Sequence, residues 1–478
     1  MEASLPASTA YRPAVESATA GARPNAHAPS TTLPLRFIAT GILALAAGTA
    51  WLILQPEILA NYHYAPATVA ATHLFVLGWI VSVIMGAMYQ LVPVALETKL
   101  YSERLARWQF LFHVVGFAGM VLMFRVWNMK QVGHFGSLMA AGLILFVYNI
   151  VRTLFRIPRW NVIAFAIASS LFWILFAGIA GLSMAASKCV YGSTYESAAL
   201  GGFIHSLRAI GMFMSRFAPM SAMHAHAHLG VIGFILMLIV GVSYKLVPMF
   251  TLSEVQSPRR AKWSVGLLNA GLAGTFLAVL LQSNWKPACG LIVMVALALY
   301  LIEIAAILKA RKRRVLDWGL RCFVTAIGLL IPTAVIGLIL SRPGMPLTSA
   351  GMQLENVYGF LALIGVVSLA IIGMLYKIVP FLVWFGTYSG HIGRFRVPAL
   401  AEMYSARLQA AGYCAYLAGV LGTCVAILAR NEICVRLGCI LLAAGVATLL
   451  ANLGLMLSHY LRPRLLPMKK TPTHAPTP

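Results

Sequence analysis

The sequence predicts an all-α integral membrane protein with about twelve transmembrane helices. Hydrophobic residues make up 60% of the 478 residues and charged residues only 10%, whereas about a quarter of the residues in soluble domains are charged. A helix needs about 20 mostly apolar residues to cross a bilayer. Runs of this length begin near Leu35, Ala67, Arg104, Val132, Trp160, Ser221, Lys262, Lys286, Trp318, Met352, Met403 and Ile433. Most of them contain glycine and none alternates like a barrel strand, which favours helices.

The second, sixth and tenth runs repeat one pattern. The aligned segments are HLFVLGWIVSVIMGAMYQLVP from His73, HLGVIGFILMLIVGVSYKLVP from His228 and FLALIGVVSLAIIGMLYKIVP from Phe360. Each has leucine at its second position, glycine at its sixth and fourteenth, and tyrosine at its seventeenth, and each closes on Val-Pro. The small residues allow close helix packing, and the tyrosine is expected at the headgroup interface. The repetition predicts three tandem four-helix repeats around a pseudo-threefold axis, at residues 35–159, 160–316 and 317–460.

The distribution of positive charge predicts the orientation. The net charge is +24, and most lysines and arginines lie in the tails or after even-numbered runs, including KARKRR at residues 309–314. The positive-inside rule therefore predicts that both termini are cytoplasmic. We expect residues 1–34 to form a disordered tail and residues 461–478 a basic one. No nucleic-acid partner is expected, because no loop is long enough to form a basic folded domain.

Histidines gather where the sixth run begins, in the stretch MHAHAHLG. His224 and His228 are four residues apart and share one face of a helix, whereas His226 points nearly the opposite way. One pair could chelate a metal ion while the middle histidine serves a second site. Neutral imidazole suits copper, iron and zinc.

Three further candidates lie on other runs. His73 is at the matching depth of the second run, and His113 is inside the third. Each is either a metal ligand or a hydrogen-bonded packing residue. The tenth run has Tyr358 and Phe360 at the equivalent level, and Tyr358 is a candidate oxygen ligand or hydrogen-bond donor.

These features together resemble subunit I of the haem-copper oxidases. The segment HAHLGVIGFILMLIVGVSYKLVP, which opens on His226, is also similar to the HAHE-type helix of the NnrS haem- and copper-containing membrane proteins, associated with nitric oxide stress. The resemblance implies a haem and copper as cofactors. It assigns cofactor binding to His73, His226, His228 and Tyr358. Metal binding is assigned to His224, His228, His73 and His113.

The chain departs from the family pattern at several ligand positions. In the oxidases, histidines of helices 2 and 10 hold the haems, and histidines of helices 6 and 7 hold copper. Here His73 matches the helix 2 ligand, but the seventh run has no histidine and the tenth has Tyr358 and Phe360. The full ligand set therefore cannot form, which leaves room for one haem, one copper site, or both. Few intramembrane carboxylates are present, so proton pumping is not expected.

The leading hypothesis is a bacterial inner-membrane haem and/or copper redox protein. It would act in electron transfer or in oxygen or nitric oxide handling, with cytochrome c or quinol as electron donor, and its status as an oxidoreductase is left open. The alternative is a transition-metal or small-molecule transporter or sensor that uses the same scaffold without haem. A third hypothesis is a scaffold protein whose polar cluster binds nothing.

Overall fold

The computed structural model describes residues 30–61, 64–190, 209–344 and 348–467. Within these ranges, twelve helices are long and apolar enough to cross a membrane, so the chain is a multi-pass, all-helical membrane protein, as predicted. The helices are α1 Thr32–Leu54, α2 Pro66–Ala95, α3 Glu103–Arg125, α4 Met129–Leu154, α5 Val162–Lys188, α6 Pro219–Thr251, α7 Pro258–Leu280, α8 Lys286–Lys309, α9 Trp318–Leu340, α10 Ser349–His391, α11 Ala406–Leu428 and α12 Glu432–Leu461. Two residues of β1 (Phe395–Arg396) pair antiparallel with β2 (Leu466–Pro467).

Three of the helices form the inside of the bundle. In α2, α6 and α10, 67%, 67% and 72% of the apolar window is buried, against 28% to 50% in the other nine spans of the described chain. These helices carry the repeated segments, whose small residues allow close packing. Two of them, α2 and α10, are also joined by a hydrogen bond, in which the indole N–H of Trp79 donates to Ser368 Oγ at 2.9 Å.

Each inner helix contains a π-helical segment of eight residues. The segments are Leu74–Val81, Leu229–Leu236 and Leu361–Ser368. Each begins one residue after the first aligned position, which is His73, His228 or Phe360. Such segments use i to i+5 hydrogen bonds and occur frequently at functional sites.

The opposite ends of the inner helices share another arrangement. An N-cap serine starts α3, α7 and α11, and its backbone N–H donates to a side chain on the following helix at 2.8 to 3.0 Å. The serines are Ser102, Ser257 and Ser405, and the acceptors are Asn149, Glu303 and Asn452. Each contact fixes the loop against the hairpin that it precedes. We refer to this end of the bundle as the basic end, because residues 309–314 lie there.

The repeated tyrosines occupy a different environment from the one predicted. Tyr89, Tyr244 and Tyr376 are 0%, 2% and 4% exposed, so the expectation that they lie among lipid headgroups is wrong. Their hydroxyl groups instead bond within the bundle, for example from Tyr89 to Gln109 Oε1 at 3.1 Å. A buried phenol keeps a hydrogen-bond partner inside the protein, which explains their inward position.

Helix boundaries differ from the predicted ones by a few residues. Helix α1 begins at Thr32, within the predicted 1–34 tail, since proline fits the first turn of a helix and Pro34 therefore does not delay it. Residues 1–29 and 468–478 lie outside the described ranges. Helix α9 is interrupted between Gly328 and Leu330. Pro332 has no N–H with which to bond the carbonyl of Gly328, so an interruption here follows from the sequence.

Candidate functional site

A cavity of about 670 Å³ lies between the first halves of α2, α6 and α10. Its volume is within the range of about 300–1,000 Å³ that is typical of ligand and cofactor sites. Most of its wall is apolar. The sequence-predicted residues that line it are His73, His224, His226, His228 and Tyr358.

Two histidines of α6 contact different neighbouring helices because of their spacing along the helix. Residues two apart on a helix are rotated by about 200°, so His226 and His228 lie on opposite sides of α6. The imidazole of His226 rests on Gly181 of α5, where an added Cβ would lie 3.1 Å from Cε1. His73 of α2 lines the same cavity, near enough to His226 for the charged forms of the two imidazoles to influence each other. We refer to this part of the wall as the α2–α6 side of the cavity.

His73 is held in one tautomer by its own helix. Its Nδ1 lies 2.8 Å from the carbonyl oxygen of Val69. A carbonyl oxygen only accepts hydrogen bonds, so Nδ1 carries the proton and Nε2 keeps a free lone pair. Histidines that ligate metals are usually oriented in this way by their other nitrogen. The ring also packs against Phe124, with centroids 4.5 Å apart.

His228 has the same local arrangement and faces α10. Its Nδ1 lies 2.7 Å from the carbonyl oxygen of His224, so its Nε2 is also unprotonated. The hydroxyl of Tyr358 lies 3.5 Å from that Nε2, and the ring centroids are 6.2 Å apart. Tyr358 packs on Gly337 of α9, where an added Cβ would lie 3.0 Å from its ring. His228 and Tyr358 therefore share the α6–α10 side of the cavity.

Both pairs have the same relation to the repeated segments. In each, the first aligned residue of one segment (His73 or His228) faces the residue two positions before the next segment (His226 or Tyr358). The corresponding residues for the remaining pair of inner helices are Phe360 and Ala71, which have no polar atoms in their side chains. At these two aligned positions, polar side chains are therefore present at two of the three junctions between inner helices.

His113 lies apart from the other candidates. It is fully buried on α3, and its Nε2 is 2.7 Å from Ser82 Oγ. The rings of Phe37 and Phe117 pack against it. It is not on the cavity wall, so the structure does not bring this predicted ligand to the other histidines.

The wall also includes charged residues that the sequence reasoning did not select. The ammonium of Lys188 lies over the rings of Tyr64 and Trp127, 5.5 and 5.8 Å from their centroids. Lys286 and Glu355 line the cavity as well. The only sequence signal for Lys188 and Lys286 is that both come at helix ends close to the level of the histidines.

Within the described part of the chain, no group of three His, Cys, Asp or Glu side chains is placed to hold a metal ion. The imidazoles are instead arranged in pairs with separate partners. Such a pair can serve a metal that brings most of its own ligands, as the iron of a haem does with its four porphyrin nitrogens.

A family model described as Cytochrome C and Quinol oxidase polypeptide I matches residues 18–133, about a quarter of the chain. The match includes α1 to α3 and therefore His73 and His113, but not α6 or α10. No curated protein matches the chain.

Proposed function

We propose that this chain, which matches the family model of Cytochrome C and Quinol oxidase polypeptide I over residues 18–133, is a divergent relative of haem-copper oxidase subunit I and a membrane haem protein. His73 and His226 would hold one haem on the α2–α6 side of the cavity. The protein acts in electron transfer or in the handling of oxygen or nitric oxide. The observation that carries this proposal is the placement of these two imidazoles, one on α2 and one on α6, in the wall of one largely apolar cavity.

The α2–α6 side suits a planar iron cofactor in three respects. His73 has an unprotonated Nε2, because Val69 accepts the Nδ1 proton. The buried Nδ1 of His226 makes no hydrogen bond of normal geometry to the described residues, and a polar atom in such a setting needs a partner. Gly181 lets the His226 imidazole rest directly on the backbone of α5, and Gly136 and Gly178 also line the cavity.

The proposed ligand pair differs from that of the oxidases. There, helix 10 supplies the second ligand of the low-spin haem, and here α10 has Phe360 at the aligned position. His226 on α6 supplies the second imidazole instead. Copper on His224 and His228 stays a prediction, as does the similarity to NnrS proteins.

A bound haem would supply reversible one-electron chemistry. The residues of this chain hold it, orient the two imidazoles and exclude water. If both His73 and His226 hold the iron, no ligand position is left open for a gas, so electron transfer would be favoured over direct gas binding. Cytochrome c or quinol is the proposed electron donor.

The arrangement of carboxylates supports a non-pumping protein. Glu303, a fully buried acid, lies at the basic end, where its oxygens accept from the N–H groups of Gln256 and Ser257 and from Arg260. It is therefore engaged in fixing a loop. Glu355 lines the cavity at the opposite end, and a chain of acids between the two ends would be needed for proton uptake.

The positive-inside rule supports placement in a bacterial inner membrane with both termini in the cytoplasm. The basic end then faces the cytoplasm and the histidines face outward. Three matching π-helical segments and three matching serine contacts support three tandem repeats around a pseudo-threefold axis.

The visible absorption spectrum of the protein purified from membranes tests the proposal. We expect a Soret band with the sharp reduced-state bands of a haem with two imidazole ligands. His73→Ala and His226→Ala should each lose or shift that band. His113→Ala is the control, because His113 is a fully buried histidine that is not on the cavity wall, and it should keep the spectrum. A colourless wild-type protein overturns the proposal.

A further inference from the structure

We propose that the α6–α10 side of the cavity is a second binding site, for a neutral, lipid-soluble molecule that carries a hydroxyl group. The molecule enters from the bilayer past α9. This inference goes beyond the proposed function and does not depend on it, because it uses residues on the other side of α6.

The first step of the argument is the chemistry of the polar pair. His228 presents an unprotonated Nε2, an acceptor, because His224 accepts its Nδ1 proton at 2.7 Å. Tyr358 presents an O–H donor 3.5 Å away, at the long limit for a hydrogen bond. A ligand hydroxyl between them donates to His228 and accepts from Tyr358, and so completes both groups at better distances.

The second step of the argument is the polarity of the cavity wall around His228 and Tyr358. Thr275 of α7 is 8% exposed, and its Oγ1 makes no hydrogen bond to the described residues although it lines the cavity. Most other wall residues here are apolar, including Val279, Met294, Leu297 and Leu330. The hydroxyls of Thr333 and Ser341 donate to carbonyls of their own helix, and the charged Lys286 and Glu355 belong to the first turns of α8 and α10, at the outer end of the cavity. A site with three uncharged polar groups and an apolar wall selects a neutral molecule with an apolar body.

The third step concerns access. Helix α9 is the least buried of the twelve described spans, at 28%. Its second half, Leu330–Leu340, contributes Thr333, Ala334 and Gly337 to the cavity wall. The outer side of the same turns is exposed, with Ile331 at 57%.

Helix α9 therefore separates the cavity from lipid, and it does so with a break at its centre. The interruption between Gly328 and Leu330 comes just before Pro332. A missing backbone hydrogen bond lets the two halves of a helix move relative to one another. This makes the second half of α9 a lateral entrance for molecules dissolved in the bilayer.

The test measures binding of 4-nonylphenol and of its methyl ether, 4-nonylanisole, to the full-length protein in lipid nanodiscs. The two probes differ only in the hydroxyl proton and its methyl replacement. We expect saturable binding of the phenol with one site per chain, and binding about tenfold weaker for the ether, since one lost hydrogen bond is of that size.

Substitutions on the α6–α10 side of the cavity test whether the phenol binds there. Tyr358→Phe and His228→Leu should each weaken phenol binding about tenfold, and Ala334→Trp should abolish it by filling the wall. Tyr388→Phe is the matched control, because Tyr388 is a buried tyrosine whose hydroxyl lies 2.7 Å from Nδ1 of His459 and neither residue lines the cavity; it should bind the phenol normally. Pro332→Ala should slow release of the probe at unchanged affinity, because it restores the backbone donor.

Equal binding of phenol and ether, or full binding to Tyr358→Phe, overturns the site. Unchanged release rates in Pro332→Ala overturn the route past α9. The visible spectrum is recorded on every sample, so a protein that is colourless yet binds the phenol saturably contradicts the haem proposal alone. A coloured protein that does not bind the phenol contradicts this inference alone.

Discussion

At the scale of single residues, the histidines of α6 have separate partners. His226 interacts with His73 and rests on Gly181, whereas His228 faces Tyr358. Helical spacing in the sequence predicts that the two imidazoles diverge. It does not say which helices they meet, because that depends on how the inner helices pack.

Gly181→Ala tests whether the imidazole of His226 is held against Gly181. The new Cβ would lie 3.1 Å from Cε1 of the imidazole, closer than ordinary contact, so the ring must shift. Misplaced ligand orientation typically costs about 10–100-fold in metal affinity. We expect lower haem occupancy, measured as the Soret absorbance per protein.

Gly230→Ala is the control for that substitution. Gly230 lines the same cavity, but an added Cβ there meets nothing within 4 Å. Its spectrum should match the unsubstituted protein. Normal haem content in Gly181→Ala would show that His226 is not held where we place it.

Several site residues could be predicted from the sequence and others could not. His73, His226, His228 and Tyr358 stand out because polar rings at aligned positions of apolar runs are unusual. Gly181 and Thr275 are common in any membrane helix, and only their contacts in the folded bundle mark them. His113 looked equivalent to His73, but its partner is Ser82, a contact that spacing along the chain does not reveal. The ligand role of each histidine stays a prediction.

At the scale of elements, the hydrogen bond from an N-cap serine to the following helix occurs three times at the basic end, and its acceptor is charged in only one of the three cases. The N–H groups at the starts of α3 and α11 donate to neutral Asn149 and Asn452, whereas that of α7 donates to Glu303. Glu303 also accepts from Arg260 Nε at 2.8 Å. Glu303 therefore links its own helix α8 to α7 and to the loop before α7 through one buried side chain.

Glu303→Ala should lower the free energy of unfolding by about 2–4 kcal/mol, because it leaves the N–H groups of Gln256 and Ser257 without their acceptor, whereas Arg260 is 36% exposed and can turn to solvent. Glu303→Gln keeps an acceptor oxygen and should cost less, about 1–3 kcal/mol. Asn149→Ala is the neutral comparison. Denaturation of the detergent-solubilised protein measures all three, and equal losses for the two Glu303 variants would contradict the ion-pair account.

The elements were largely predictable, because twelve apolar runs leave little choice of structure in a bilayer. Starts were close to the predicted residues, and α11 begins three residues after Met403 because Ser405 caps it. The π-helical segments were not predicted, since hydropathy does not distinguish π from α turns. The break in α9 could have been predicted from Pro332, but hydropathy alone shows one uninterrupted apolar run there.

At the scale of the whole molecule, the twelve spans of the described residues, an even number, put the start of α1 and the end of α12 on one side of the bilayer. We expect a C-terminal fluorescent-protein fusion to be bright and a C-terminal alkaline-phosphatase fusion to be inactive, as for a cytoplasmic terminus. A fusion in the α5–α6 connection should give the opposite pattern. Active phosphatase at the C-terminus would reverse the proposed orientation.

An ion pair at the basic end predicts how the stability of the bundle depends on pH. Asp317, just before α9, contacts Lys377 of α10, whose ammonium also lies 5.1 Å from the ring centroid of Phe250 on α6. Burial of Asp317 would raise its pKa, but the hydrogen bond and charge of Lys377 outweigh burial and hold the pKa below its ordinary value of 3.8.

A carboxyl whose pKa is lowered on folding stabilises the folded state above its unfolded pKa, and that contribution is lost as the pH falls through the folded pKa. Thermal unfolding should therefore be insensitive to Asp317 titration between about pH 5 and 7 and show a loss below about pH 4. Asp317→Asn should be less stable at pH 7 and lack that part of the acid loss. An identical acid profile in the variant would contradict the assignment.

The π-helical segments have a consequence for how this chain tolerates changes in length. A π turn holds about one residue more than an α turn over nearly the same rotation. Deleting one residue from Leu74–Val81 would therefore return the segment to α-helical geometry while His73 and Tyr89 kept nearly the same relative direction. The same single-codon deletion in an ordinary α turn of α2 would rotate one half of the helix by about 100° against the other, so we expect the bundle to tolerate the loss of a residue best at its three π-helical segments.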